Sequence, residues 1–448
     1  MAATPLDISS SFRPTPPSAN LTNTTTNSSA AVMHRPPLQS IFITSCDEWL
    51  GYSLAKALLT AYYPDDPLHQ VWCGVIQPQT PYTEDLKFHG GHIVSYDPRN
   101  PPPARLHTHF SRCDAVILVP MHQHERDRID IWRYFFISIE EARRTRPTAT
   151  QLQVYMLSVL NLDHISDGRF QFLLSMENLF RDWFETHPLL SWKDLVAKAT
   201  ASPITTATVA TLGPAATATA AVAVSDTSLA PISAAGPSYS SATVSEDTAD
   251  HPHQHRGAIL RFTLPLEHLL LYQARIRDRR AIELPIGEAS FTPIALSDLA
   301  EALLKLITQR PSHHSTTTPT TTTTSTDEDP AAITNPRRDT QTPLYNLTNS
   351  TTTSGQGLAH AAQKTLGHEF HYHPMALDEA HDYLSDHTHL TAEEVPFTIS
   401  YYQVIRDAKQ NNIYHDLVKL LGRSPKSSEE FMAQNKKRLA GGGCDCSM

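Results

Sequence analysis

The sequence predicts an α/β protein: a doubly wound, Rossmann-like parallel sheet with a smaller carboxy-terminal α+β subdomain. Short runs that are apolar at every position, such as Ala115-Val116-Ile117-Leu118-Val119, suit strands of a parallel sheet covered on both faces. These runs alternate with stretches of helical periodicity, the signature of repeated β-α units. The third observation is length, since 448 residues hold one large domain even after their low-complexity segments are set aside.

Taken in order, Ser40 to Thr44 is a short buried strand, and Leu50 to Tyr62 carries Leu50, Leu54, Ala57, Leu58 and Ala61 at helical spacing. Val71 to Ile76, Gly91 to Tyr96 and Ala115 to Val119 are strands two to four. A helix is expected over Ile129 to Thr145, a fifth strand over Gln153 to Ser158, a helix around Phe170 to Glu185, and a sixth strand over Gly257 to Phe262. Further on, Ser297 suits an N-cap, Asp298 favours the helix start by charge-dipole attraction, and Leu299, Ala300, Leu303 and Leu306 form a buried stripe. His371-Tyr372-His373 falls in another strand.

The expected organisation is a disordered tail at 1–37, core at 38–199, a low-complexity insertion at 200–255, core again at 256–310, a Thr-rich insertion at 311–340, the carboxy-terminal subdomain at 341–438 and a flexible Gly/Cys tail at 439–448. The tail and insertions hold too few large apolar side chains to offset the entropy of ordering. A net charge of −10 argues against direct nucleic-acid binding, which needs a basic face. The five cysteines, Cys46, Cys73, Cys113, Cys444 and Cys446, are odd in number, and three sit in apolar runs, as reduced intracellular thiols do. No apolar run is long enough for a signal or a membrane span, so a cytoplasmic or nuclear location is expected and the five Asn-x-Thr/Ser sequons reflect composition.

After the first strand the chain reads Thr44-Ser45-Cys46-Asp47-Glu48-Trp49-Leu50-Gly51, where a dinucleotide fold has its glycine-rich turn. The run SIFITSCDEWLGYSLAKALL resembles the opening of the NmrA-like branch of the atypical short-chain dehydrogenase/reductases. The resemblance continues in order through CDAVILVP, VYMLSVLNLD, SMENLFRDWF, RGAILRFTLPLEHLL and ASFTPIALSDLAEALLKLI, then LYNLT and LGRSP. It implies a Rossmann fold, an NAD(P) site, and for some members regulation of transcription factors by protein contact. The family's three turn glycines map to Ser45, Glu48 and Gly51, so the packing glycine is kept while the tight-turn glycine and the one that lets backbone approach pyrophosphate are lost. Glu48 and Asp47 add charge where a diphosphate would sit, at roughly 1 kcal/mol or more per close like-charge contact. Asp47 also suits a solvent-facing helix cap. At the end of the second strand, Gln77 stands where an acidic residue or an arginine would select the cofactor. The resemblance thus gives Thr44, Ser45, Glu48, Gly51, Gln77, Val119, Pro120 and Ser158 as cofactor-contacting positions, with NAD(P) binding weak or lost.

The Tyr-x-x-x-Lys proton relay of a short-chain reductase is absent from Arg169 to Glu177, which has neither residue, so no catalytic residue is assigned. Among the 24 histidines, the pairs His107/His109, His122/His124 and His371/His373, with His251 to His255, lack a zinc framework, and no metal site is expected. The last four residues put Asp445 where a prenyl box needs Cys; the tail cysteines read as an exposed thiol pair, with acylation beside Lys436, Lys437 and Arg438 as the alternative. The leading expectation is a regulatory or sensor protein without oxidoreductase activity, bound to a protein partner such as a transcription regulator. The alternatives are an active NAD(P)-dependent reductase or isomerase using Tyr155 or Ser158 as donor, and a ligand-free scaffold whose Thr-rich tracts carry docking or phosphorylation sites.

Overall fold

The computed structural model describes residues 39–62, 69–97, 106–120, 128–146, 152–186, 257–308, 342–407 and 409–440. The tail 1–37, both low-complexity insertions, His122, His124, His251 to His255 and the terminal cysteines lie outside the described residues.

The first half alternates strand and helix: β1 (Gln39–Ile43), α1 (Trp49–Tyr62), β2 (His69–Val75), α2 (Pro81–Phe88), β3 (His92–Ser95), α3 (Leu106–Phe110), β4 (Ala115–Leu118), α4 (Arg128–Thr145), β5 (Gln153–Val159) and α5 (Gly168–Thr186). There follow β6 (Gly257–Phe262), α6 (His268–Leu271), α7 (Gln273–Arg279), β7 (Ala281–Leu284), β8 (Ser290–Phe291) and α8 (Leu296–Thr308). The last block holds β9 (Leu344–Leu347), β10 (Thr353–Ser354), α9 (Gly355–Leu366), β11 (His371–Pro374), α10 (Leu377–His387), α11 (Glu394–Arg406), α12 (Asp416–Leu421), α13 (Ser428–Gln434) and α14 (Lys436–Ala440).

Seven strands form one parallel sheet in the order β3-β2-β1-β4-β5-β6-β9. The uniform hydrophobicity of β4 has its cause in the two faces. Ala115 and Ile117 pack with Leu54 and Leu58 of α1 and Leu299 and Leu303 of α8, while Val116 and Leu118 pack with Trp132 and Phe135 of α4 and Phe180 and Trp183 of α5. The chain reverses direction across the sheet between β1 and β4, the switch point at which an open α/β sheet binds its ligands. Residues 344–347 belong to this sheet and not to the carboxy-terminal subdomain: β9 pairs with β6, Ile259 opposite Leu344, and Leu347 is buried in the α1/α8 core.

The remaining elements build a third core, including Phe170, Tyr272, Leu384, Tyr402 and Phe431, with two short sheets, β7 with β11 and β8 with β10. Ser297 does not cap α8. It lies in the first turn, where its hydroxyl accepts from Lys426 Nζ at 2.9 Å, and the Leu296 N–H donates instead to the carboxylate of the half-buried Glu267 at 3.0 Å. Asp298 is fully buried and accepts from the Lys426 N–H at 2.6 Å and from Arg423 at 2.8 Å, which fastens the carboxy-terminal helices to α8. On the other face, the Arg261 guanidinium of β6 bonds the buried Glu177 carboxylate of α5 at 2.6 Å and Asp163 at 2.6 Å, a buried charge pair that holds α5 over the sheet.

Candidate functional site

The carboxyl ends of β1, β2, β4 and β5 meet the amino end of α1, and the turn between β1 and α1 keeps its shape without its first glycine. Ser45 takes φ +56°, the left-handed region in which glycine is unstrained and other residues are destabilised by roughly 1 kcal/mol. Compensation comes from β4: the Ser45 hydroxyl donates to the Val119 carbonyl at 3.3 Å, and the Val119 N–H donates to the Thr44 hydroxyl at 2.9 Å. Gly51 is required, because a Cβ there would lie 2.1 Å from the Ser45 carbonyl oxygen.

Asp47 does not face solvent as a helix cap. It is only 3% exposed, and one carboxylate oxygen accepts from the Ile76 N–H at 2.9 Å and the Gln77 N–H at 2.8 Å. These two amides, at the end of β2, hold it inward. Burial pushes its pKa up to about 6, the amides oppose that, and the neighbouring Glu48 adds to it. Glu48 is buried, and the side chain of Gln77 is exposed.

A second carboxylate arrives from the far end of the chain. Glu394, the first residue of α11 and 3% exposed, accepts from the Trp49 N–H at 2.6 Å and, through its other oxygen, from the Thr391 N–H at 2.8 Å. Trp49 opens α1, so this carboxylate sits on the helix end that in a dinucleotide fold receives phosphate. Burial, and then the charge of Glu48, push the Glu394 pKa up to about 8.

Beside Glu394 lies a mainly apolar pocket with a cavity of about 50 Å³, walled by Trp49, Pro120, Ser158, Phe262, His268, Leu390, Phe397 and Tyr401 among others. The Ser158 hydroxyl is 1% exposed and has no hydrogen-bond partner among the described residues. Burial drives the His268 pKa down to about 3, so its ring is neutral; it stands edge-on to Trp49 at 4.4 Å with Nδ1 3.3 Å from the Tyr402 hydroxyl. Of the expected contact positions, Pro120 and Ser158 line this pocket; Thr44, Ser45 and Val119 are joined by hydrogen bonds at the turn with Gly51 packed against Ser45, Glu48 is buried next to Asp47, and Gln77 is exposed just past the end of β2. The structure corrects the expected orientation of Asp47 and adds Glu394 and His268, which sequence reasoning does not reach. Glu394 and Trp49 lie 345 residues apart, so no local pattern exposes that pair.

The candidate proton donors are now separable. The Tyr155 hydroxyl donates to Gln153 Oε1 at 2.6 Å within the α1/α8 core and does not line the pocket, whereas Ser158 does. A Tyr-x-x-x-Lys spacing does occur on α1, as Tyr52 and Lys56, but both bond Asp85 of α2 at 2.8 Å and neither lines the pocket. Burial raises the Tyr52 pKa, which keeps it a phenol. His107 and His109 lie on α3, not on a strand, and the exposed rings of His371 and His373 are 6.4 Å apart on β11. Among the described residues no three His, Cys, Asp or Glu side chains cluster as metal ligands, and no helix is long and apolar enough to cross a membrane. Cys46, Cys73 and Cys113 are free and buried.

No protein-family model and no curated protein sequence matches the chain. Solved structures do. The triphenylmethane reductase of Citrobacter sp. complexed with NADP(H) is 13% identical with a TM-score of 0.51, covering 88% of this chain and 99% of that one. The NADPH complex of the Escherichia coli quinone oxidoreductase QOR2 is 12% identical at 0.50, covering 88% and 99%. NmrA, a negative transcriptional regulator in complex with NADP, is 10% identical at 0.50, covering 92% and 99%. The chain therefore has the Rossmann-like fold that NmrA shares with these NADPH-dependent reductases.

Proposed function

We propose that the chain is a regulatory or sensor protein of the NmrA type, acting through contact with a protein partner and without hydride transfer. The observation that carries this reading is the Glu394 carboxylate on the Trp49 N–H, which occupies the helix end a cofactor diphosphate would need. Asp47 takes the two amides at the end of β2, and Glu48 is buried beside them. A diphosphate does not fit a seat whose helix-end and strand-end amides are already taken by the Glu394 and Asp47 carboxyl groups, with Glu48 buried next to Asp47, so no reaction step runs through NAD(P). Among the described residues the pocket wall offers the Ser158, Thr398 and Tyr401 hydroxyls and a neutral imidazole, with the Tyr401 hydroxyl donated to the Phe262 carbonyl and no lysine to stabilise an alkoxide or phenolate. The net charge of −10 favours a protein partner over nucleic acid, and NmrA is itself a transcriptional regulator.

The reading is tested by titrating NADP and NAD into the purified chain and following its melting temperature. A flat response at millimolar cofactor is expected, because a ligand at a hundredfold its Kd would add roughly 2.7 kcal/mol. Turnover of a quinone or aldehyde with NADPH would refute it, and would favour the reductase alternative with Ser158 as the donor left in reach.

A further inference from the structure

Among the pocket residues, the Ser158 hydroxyl is the least explained. It stands at the end of β5, 1% exposed, with no hydrogen-bond partner among the described residues, in a wall otherwise made of mainly aromatic and aliphatic side chains. A buried hydroxyl left unpaired costs roughly 1–3 kcal/mol, and of the unpaired buried side-chain atoms among the described residues Ser158 is the one that lines this pocket, where a ligand could bond it. We propose that this pocket binds a small uncharged aromatic molecule bearing one hydrogen-bond acceptor, with the ring between Trp49, His268 and Phe397 and the acceptor on the Ser158 hydroxyl. The proposal rests on the reading above, that the chain's own carboxylates exclude a dinucleotide from the cleft.

The chemistry of the wall selects the ligand class. His268 is neutral, its ring edge-on to Trp49, and Tyr401 is fixed by donating its hydroxyl to the Phe262 carbonyl at 2.9 Å. Among the described residues no arginine or lysine lines the pocket to receive an anion, and its mainly apolar wall offers a bare charge no solvation. The cavity of about 50 Å³ is below the roughly 150 Å³ that accepts a benzene ring, so the half-buried Leu390 and Phe397 at the rim must swing outward as the ring enters.

The test uses the full chain and three probes of one ring each: acetophenone (neutral, with acceptor), ethylbenzene (neutral, without) and benzoate (charged). Binding is read by saturation-transfer NMR and by melting temperature. Acetophenone is expected to bind saturably, and about tenfold more weakly to Ser158→Ala, in keeping with one hydrogen bond. Ethylbenzene should bind both chains equally and benzoate neither, while Leu390→Trp, which closes the rim, should abolish acetophenone binding. No acetophenone binding, equal binding to wild type and Ser158→Ala, or benzoate binding as tight as acetophenone would overturn the proposal. A parallel NADP titration separates the two ideas: saturable NADP binding that displaces acetophenone refutes the plugged-cleft reading, whereas silence toward both ligands refutes the pocket alone.

Discussion

Replacing Glu394 by Gln isolates the charge of the plug while keeping an acceptor for the Trp49 N–H. Burial and Glu48 hold the carboxyl pKa at about 8 against an ordinary 4.5. At about 1.4 kcal/mol per tenfold, that interval makes the ionised form on the order of 5 kcal/mol worse in the folded protein than in the unfolded chain. The folded pKa is the higher one, so the favourable contribution is complete below about pH 4.5 and is lost as pH rises to about 8. Urea unfolding between pH 5 and 9 should show the wild type losing stability toward the alkaline side. Glu394→Gln should match it within about 1 kcal/mol at pH 5 and exceed it by a few kcal/mol at pH 9. Asp47 and Glu267, held up to about 6 and about 7, slope in the same direction, but they are common to both chains and cancel in the difference. A difference that stays constant with pH, or a wild type more stable than the Glu394→Gln variant at pH 9, would refute the assignment of a buried, destabilised carboxylate.

Removing the plug and the turn carboxylate together, as Ser45→Gly/Glu48→Gly/Glu394→Ala, is expected to confer NADP binding where the wild type has none, read as a saturable rise in melting temperature of the variant alone. Gly51→Ala would press a methyl against the Ser45 carbonyl at 2.1 Å and should cost about 1–3 kcal/mol or more in urea unfolding. Arg261→Leu leaves Glu177 buried with, among the described residues, only Arg181 as a cationic partner, 3.0 Å away, and should lose about 3–5 kcal/mol; adding Glu177→Leu should recover most of it.

The apolar runs at β1, β4, β5 and β6 need two covered faces, and that need is written into consecutive residues. Gly51 likewise follows from a turn whose spacing is local, and Ser45 keeps the turn's left-handed backbone even though its residue type departs from glycine. Other features rest on contacts made only when distant segments meet. Asp47 reads as a solvent-facing cap until the ends of β1 and β2 come together and present it with the Ile76 and Gln77 amides. The strand at 344–347 is short and half polar, and its place beside β6 is a matter of register across the sheet. Glu394 has no pattern around it that marks a ligand; its meaning comes from lying against a helix end 345 residues earlier. The scaffold and the loss of two glycines are legible along the chain, because periodicity and turn chemistry act over a few residues. What fills the space those glycines left is settled in the folded molecule alone, because a hydrogen bond and a burial cost depend on distance in space and not on separation in sequence.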